Sequence, residues 1–324
     1  MSWITKIKDP MQMQGTLDRS GFFEGWYYRM IAPTGECLSL IPGYSTALQD
    51  PHCFLQFIIT GSSTPVPAAK KGQNTLRTGY LPYPIQEFHS QKDPFLLKIS
   101  ENRFHREGMD IQLKSPELNL SGNLSFRDLT PIRTSLFSPN IMGLFAYIPK
   151  MECYHGVISM AHQLEGRVAI DGKAIDFTGG IGYLEKDWGT SFPKEYVWIQ
   201  CNQFQSGKVS LMCSIADIPF LGTQFQGHII NFVMGDREYR FATYNHSKIS
   251  FLQVQNKEIL ILVDHPHRSL QIHATLDQEG ELRAPHSGQM KRIIKEGLQG
   301  TVTIQLRDKR TGTIVRDEGI RAGI

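Results

Sequence analysis

Two acidic residues beside a run of aromatic rings are the part of this sequence best suited to chemistry. Glu185 and Asp187 flank Lys186 and come directly before Trp188, and the aromatic stretch 196–198 follows. A carboxyl group in an apolar, desolvated setting keeps its proton near neutral pH and can act as a general acid. One interpretation of the pattern is an acid at the mouth of an apolar pocket. A surface turn, in which the carboxylates pair with nearby lysines, is the alternative.

Strands must position these side chains, because strand patterns dominate the sequence. Residues 269–276 and 301–306 each alternate apolar and polar side chains, which predicts half-buried strands. Adjacent side chains of a strand point to opposite faces. Glu185 and Asp187 would therefore share one face of a strand, and Lys186 would lie on the other.

Turn residues and a scarcity of helical periodicity indicate the wider fold. Asp171-Gly172 has the composition of a two-residue hairpin turn. Residues 287–298 predict a helix of about two turns that begins after Ser287 and ends at Gly297. Short strands joined by closely spaced turn residues predict an all-β protein, an antiparallel sandwich or barrel with few short helices.

The length and composition of the chain limit the number of domains and the kinds of partner. The chain has 324 residues, of which 40% are hydrophobic and 20% charged, as expected for one large or two ordinary globular domains. Residues 131–150 contain three prolines near mid-chain, so we predict domains at 1–145 and 146–324. The net charge of +3, without a long basic run, argues against a nucleic-acid partner.

Cysteine usage and the amino-terminal sequence indicate location. The five cysteines are widely spaced and form no C-x-x-C pair, which favours reduced thiols in the cytoplasm. The first residues, MSWITKIKDPMQMQG, lack the apolar run of a signal peptide. We expect no transmembrane segment, because no stretch approaches the roughly twenty apolar residues that a spanning helix needs. Contact with a membrane surface stays open.

Motifs for bound metals and cofactors are weak in this sequence. His265 and His267 alternate like a metal-binding pair, but Pro266 between them favours a loop or edge, and no third ligand is near in sequence. The sequence contains no phosphate-binding loop, nucleophile elbow or dinucleotide fingerprint. We predict no metal and no cofactor.

Three blocks of sequence, taken in order, resemble the tocopherol cyclase family. They are FFEGWYYR at 22–29, YLEKDWGTSFPKEYVWIQCNQF at 183–204, and LRAP at 282–285, which is followed by a carboxy-terminal hairpin. The resemblance implies two lipocalin-like antiparallel β-barrel or sandwich halves. It also implies a reaction in which a prenyl alkene is protonated and a phenol oxygen attacks the resulting cation, with a small hydrophobic isoprenoid or quinol as ligand.

That chemistry assigns roles to the acids and to a histidine. An alkene is a very weak base, so its protonation needs a protonated carboxyl group. Glu24 competes with the Glu185 and Asp187 pair for this role, since Gly25 beside it would admit a ligand. His155 or His162 could deprotonate the phenol. The alternative is a strand histidine that only forms hydrogen bonds within the fold, which is common. The predicted catalytic residues are Asp187, Glu185, Glu24 and His155.

Aromatic faces would stabilise the cation without capturing it. The predicted substrate-binding residues are Trp26, Tyr28, Tyr183, Trp188, Tyr196, Trp198 and Asn202. Core packing is the alternative role for each ring. The alternative function for the whole protein is a lipocalin-like carrier, which binds a hydrophobic ligand in a pocket and needs no buried acid.

Overall fold

The computed structural model describes residues 3–61, 75–207, 209–220 and 223–324, and its strands pair antiparallel throughout. The all-β prediction is confirmed. One short helix, α1 (Trp3–Lys8), precedes the strands, and 3-10 turns occur at Ile85–Glu87, Gly143–Tyr147 and Thr243–Asn245.

The strands fall into two compact units. In chain order the strands are β1 (Phe23–Ile31), β2 (Cys37–Ala47), β3 (Asp50–Gly61), β4 (Thr75–Pro84), β5 (Phe88–Gln91), β6 (Leu96–Ile99), β7 (Asn102–His105), β8 (Gly108–Lys114), β9 (Asn119–Arg127), β10 (Cys153–Ile170), β11 (Lys173–Asp176), β12 (Ile181–Gly189), β13 (Tyr196–Cys201), β14 (Val209–Phe220), β15 (Thr223–Met234), β16 (Arg237–Ala242), β17 (Lys248–Gln255), β18 (Glu258–His265), β19 (Arg268–Thr275), β20 (Gly280–His286), β21 (Gln289–Glu296), β22 (Gly300–Asp308) and β23 (Ile314–Ala322).

The first unit comprises Met1–Phe192 and Gly280–Lys295. Its main sheet has the order β4-β3-β2-β1-β12-β10-β9-β8-β7-β6-β5, with β11 paired to β10. The sheet curls around one core, because β1 and β2 contact strands far along this order. The Tyr28 ring lies 5.3 Å from Phe104 of β7, and the Tyr44 ring lies 4.8 Å from Phe88 of β5.

The compact units do not divide near residue 145, where the sequence placed the boundary. In the first unit β12 pairs with β1 on one side and β10 on the other, and β10 also pairs with β9. Strands from both sides of residue 145 therefore share one sheet. The prolines of residues 131–150 belong to a connection within that unit, and the chain leaves it after Phe192.

A hairpin from later in the chain completes the first unit. β20 and β21 pair with each other, and Gln56 of β3 exchanges hydrogen bonds with the Arg283 backbone at 3.2 and 2.6 Å. The helix predicted over 287–298 was wrong. Ser287 and Gly288 both have positive φ (50° and 77°), so they form the hairpin turn between β20 and β21 rather than a helix start.

The second unit comprises Pro193–Glu279 and Glu296–Ile324. It contains a four-stranded sheet, β13-β14-β15-β16, and a five-stranded sheet, β17-β18-β19-β22-β23. One core joins both sheets, with Ile199 and Leu211 from the first and Ile272 and Ile304 from the second. The alternation predicted at 269–276 and 301–306 is confirmed, because every second residue of β19 and β22 is buried there.

Candidate active site

The two faces of β12 carry two separate groups of charged and aromatic side chains. On the inner face, Leu184 and Trp188 belong to the core of the first unit, and Lys186 is fully buried there. Glu185 and Asp187 lie on the outer face, as strand alternation requires. The prediction that the two acids share one face and Lys186 takes the other is confirmed by their contacts.

His155 of β10 joins the two acids on the outer face. Its Nδ1 lies 2.8 Å from Asp187 Oδ1, and its Nε2 lies 3.4 Å from Glu185 Oε2. The Tyr183 hydroxyl donates to Glu185 Oε2 at 2.5 Å. We call His155, Tyr183, Glu185 and Asp187 the His155 cluster. β10 pairs with β12 so that His155 stands opposite Asp187, and this register brings the imidazole to the acids.

The cluster is largely withdrawn from water, and this shapes its electrostatics. The Glu185 side chain is 4% exposed, that of His155 13% and that of Asp187 25%. Burial opposes the charged imidazole, but the carboxylates of Asp187 and Glu185 outweigh it and raise the pKa of His155 to about 9. His155 is therefore a cation at neutral pH. Burial and the neighbouring Glu185 raise the pKa of Tyr183 well above its usual value, so Tyr183 stays a hydrogen-bond donor.

Strand β1 adds a second tyrosine and a glycine to this face. Tyr27 stands opposite Glu185 in the β1–β12 register, and its hydroxyl accepts from Ser39 Oγ at 3.2 Å. Gly25 stands opposite Asp187, and a Cβ placed there would meet only an Ile41 methyl carbon, at 3.5 Å. Gly25 therefore places no side chain opposite Asp187. Tyr27 is not among the predicted substrate-binding residues, although its alternation with Gly25 places it on this face.

His155, Glu185 and Asp187 have a spacing that a metal ion could use, since one ligand atom from each lies within 4.8 Å of the other two. The two imidazole nitrogens face different carboxylates, however. A metal takes one imidazole nitrogen together with the carboxylates around it. The arrangement suits an imidazolium shared between two acids, and the absence of a metal stays a prediction.

On the inner face, Glu24 forms an ion pair with Lys186 rather than joining the acids. Both side chains are fully buried. Glu24 also accepts from the Tyr44 hydroxyl at 2.7 Å and from the backbone N–H groups of Gln14 and Gly15 at 2.9 and 2.5 Å. These donors hold the amino-terminal segment against the barrel interior. Glu24 therefore anchors this segment, and it lies on the inner face, away from Glu185 and Asp187 on the outer face.

Three of the predicted cation-binding rings also lie on the inner face. The Lys186 ammonium lies 4.2 Å from the Trp26 ring and 5.2 Å from the Trp188 ring, and Trp188 stacks on Tyr154. Tyr28 packs among phenylalanines in the same core. Because even-numbered residues of β1 and β12 face inward, Trp26, Tyr28 and Trp188 pack around Lys186 and the core and do not surround Asp187. Tyr183 alone among the first unit's predicted rings reaches the cluster.

Besides its ion pair with Glu24, the buried Lys186 forms a hydrogen bond with the backbone. Its Nζ donates to the Gln12 carbonyl at 2.7 Å. Burial lowers the pKa of Lys186 to about 8, against the opposing attraction of Glu24.

Three of the remaining predicted residues belong to the second unit. Tyr196 and Trp198 are half-buried on β13 of the second unit, on the strand face opposite its core residues, and Asn202 is buried just after that strand. Their role in binding stays a prediction. His162 packs against Phe126 in the first unit's core, where burial lowers its pKa to about 3, so it is neutral and apart from the cluster.

Comparison with solved structures gives the fold class of the protein. The chain superposes on CghA bound to Sch210972 with a TM-score of 0.57 at 10% identity, covering 93% of this chain and 87% of that one. It superposes on the protein assigned as AttH from Nitrosomonas europaea with a TM-score of 0.50 at 14% identity, covering 93% and 91%. The protein is thus an all-β protein of lipocalin-like fold.

Sequence comparison then gives the family. The tocopherol cyclase-like family model matches residues 136–323, more than half of the chain, and the chain belongs to that family. It is 29% identical over 174 residues to "Probable tocopherol cyclase, chloroplastic" of Oryza sativa subsp. japonica and to "Tocopherol cyclase, chloroplastic" of Zea mays. Each match covers 48% of this chain and 34% of the plant protein, so the chain spans about one third of the length of these curated relatives.

A search of the helices among the described residues finds none that combines the length and the apolar character of a membrane span.

Proposed function

We propose that this protein is a cofactor-free acid catalyst that closes a ring in a prenylated hydroquinone or a related isoprenoid. The phenol oxygen adds to a protonated alkene of the prenyl tail within one molecule, so the reaction is an isomerisation. The single observation that carries the proposal is the His155 cluster, in which one imidazole lies between two carboxylates at 2.8 and 3.4 Å, with Asp187 standing opposite a glycine, Gly25. The names of the plant relatives, both tocopherol cyclases, support the same reaction class.

Asp187 is the proton donor in this proposal. It is the more exposed of the two acids, and Gly25 opposite it adds no side chain to the path of a prenyl tail. At neutral pH His155 holds the proton, with its Nδ1 2.8 Å from Asp187 Oδ1, and an apolar tail that displaces water from this ion pair moves the proton to Asp187. The proton passes to the less substituted alkene carbon, which leaves a tertiary cation. The phenol oxygen bonds to that cation and its proton passes to the Asp187 carboxylate, which restores the acid.

His155 and Glu185 act on Asp187 in different ways. His155 is already protonated at neutral pH, since its pKa is raised to about 9, so the predicted role as base for the phenol gives way to a role as a cation. His155 supplies the proton that Asp187 delivers, across their 2.8 Å contact, and takes it back after the ring has closed. Glu185 faces both His155 and the Tyr183 hydroxyl, and it holds the imidazolium in place.

Isotope incorporation tests the proposal. Purified protein is incubated in deuterated water with a methyl-prenyl-hydroquinone, and the product is analysed by mass spectrometry and NMR. We expect a chromanol with one deuterium on the carbon that received the proton, and loss of this product in Asp187→Asn. Tight binding of a panel of prenyl quinols without turnover of any member would contradict the proposal and favour the carrier.

The proposal also covers the location of the protein in the cell. The five cysteines are free thiols, as a reducing compartment requires. We propose the cytoplasm as the site of the reaction, with a small hydrophobic molecule as the ligand.

A further inference from the structure

A tight turn in the connection between β9 and β10 presents two large apolar side chains to solvent. Ser135 and Ser138 exchange backbone hydrogen bonds of 2.9 and 3.2 Å, which close the turn. Leu136 and Phe137 lie at its tip and are 69% and 73% exposed. Turn tips favour Gly, Asn, Asp, Ser and Pro. Two exposed large apolar residues at this position therefore need an explanation outside the folding of the turn itself.

A third exposed apolar side chain extends this surface. Leu144 is 51% exposed and lies in the 3-10 turn Gly143–Tyr147. The Tyr147 hydroxyl donates to the Leu136 carbonyl at 2.9 Å and ties that turn to the first one. We call Leu136, Phe137 and Leu144 the apolar tip.

The base of the apolar tip is fixed to the body of the first unit. Asn140 is buried, donates to the Ile7 carbonyl at 3.0 Å, and accepts from the Met142 N–H at 2.9 Å. Met142 in turn accepts from the His155 backbone N–H through its sulfur at 3.2 Å. The apolar tip is thus held by a packed base that reaches the candidate active site.

The charged residues near the apolar tip indicate which lipids it would contact. Between Asp128 and Glu152 the chain contains Arg133 and Lys150, both exposed, and no acidic residue. Cations next to an exposed apolar surface are attracted to anionic lipid headgroups while the apolar side chains enter the interface.

We propose that the apolar tip inserts into the surface of a lipid bilayer that contains anionic lipids. Three side chains on two adjacent turns form too small a surface for a stable protein–protein interface, which needs roughly 1,200 Å² or more. The same three side chains suit shallow insertion at the depth of the headgroups. Such docking does not depend on the proposed function. If both hold, the docked protein meets lipophilic substrate next to the connection that contacts His155.

Vesicle flotation with the purified full chain tests this docking. The probes are vesicles of phosphatidylcholine alone and of phosphatidylcholine with phosphatidylglycerol. We expect stronger partitioning onto the anionic vesicles, and a loss of about tenfold or more in the double variant Leu136→Ser/Phe137→Ser. Lys150→Glu should weaken binding to the anionic vesicles only. Leu48→Ser is the matched control, because Leu48 is 86% exposed in the β2–β3 turn of the same unit, and it should bind as the wild type does.

Three outcomes would overturn the proposal. The wild type does not float with either vesicle, or the double variant and the Leu48→Ser control lose the same amount, or gel filtration without lipid shows a dimer that the double variant dissociates. The last result would assign the tip to a second copy of the chain.

Discussion

Two carboxylates that look alike in sequence have different surroundings in the structure. Glu24 is neutralised by Lys186 and held by backbone N–H groups inside the barrel. Asp187 pairs with His155 on the outer face and is 25% exposed. A carboxylate locked by a buried cation stabilises a structure, whereas one that a ligand can reach is able to exchange a proton.

Matched amide variants separate these roles. Asp187→Asn should retain the fold and lower turnover by about 100-fold or more, since an amide cannot deliver the proton. Glu24→Gln should lower the free energy of unfolding by about 3–5 kcal/mol, because it leaves the Lys186 charge buried without its partner. Its turnover per folded molecule should stay normal. Chemical denaturation together with the isotope assay checks both, and normal turnover in Asp187→Asn would remove Asp187 as the donor.

The pH dependence of stability follows from His155. Its folded pKa of about 9 lies above the ordinary 6.5, so its contribution is complete below pH 6.5 and is lost as pH rises through 9. The loss is at most about 3.4 kcal/mol. Lys186, whose pKa is lowered to about 8, adds stability as pH rises above 8 and opposes this loss. Lys186 contributes equally to the unfolding free energy of the wild type and of His155→Gln. The difference between the two proteins at each pH therefore isolates the contribution of His155. It should shrink from pH 6.5 to 9.5, and a difference independent of pH would contradict a charged His155.

At the scale of secondary structure, β12 separates packing from chemistry through its alternation. The inner-face residues Lys186 and Trp188 stabilise the barrel, and the outer-face residues Glu185 and Asp187 meet His155. A substitution on one face should leave the function of the other intact.

Trp188→Phe tests that separation. The smaller ring loses stacking on Tyr154 and contact with Lys186, so the free energy of unfolding should fall by about 1–2 kcal/mol. Turnover per folded molecule should match the wild type, because Trp188 points away from Asp187. Thermal denaturation and the isotope assay measure the two quantities. A stable variant with reduced turnover would return Trp188 to the cation site.

At the scale of the whole molecule, the first unit depends on strands from distant parts of the chain. β10 and β12 lie between β1 and β9 in its sheet, and the β20–β21 hairpin is added from beyond the second unit's first segment. The unit is therefore not a continuous amino-terminal half.

Fragments that end at different residues check this organisation. A fragment of residues 1–145 lacks β10 and β12, which exposes the edges of β1 and β9, and it should show no cooperative unfolding transition. A fragment of residues 1–192 keeps the main sheet and lacks only the hairpin, so it should unfold cooperatively at a lower Tm than the full chain. Near-ultraviolet circular dichroism during heating distinguishes them. Cooperative unfolding of the 1–145 fragment would support the boundary predicted from sequence.

Local patterns in the sequence by themselves determined much of this protein. Period-two alternation predicted the strands at 269–276 and 301–306, and it put Glu185 and Asp187 on one face. The motif blocks indicated the tocopherol cyclase-like family, which the family comparison confirms. These properties depend on neighbours in the chain, since the geometry of a strand fixes which side chains share a face.

Only the tertiary structure decided what each face meets. Glu24 finds Lys186, and His155 finds Asp187, through pairing registers between strands far apart in sequence. The same registers turn Trp188 toward the core and draw residues beyond 145 into the first sheet. Alternation leaves the choice of partner strand open, because any apolar face can cover another. Long-range pairing and burial make that choice, and with it they decide that Glu24 is fully buried against Lys186 and that Asp187 stays partly exposed beside His155.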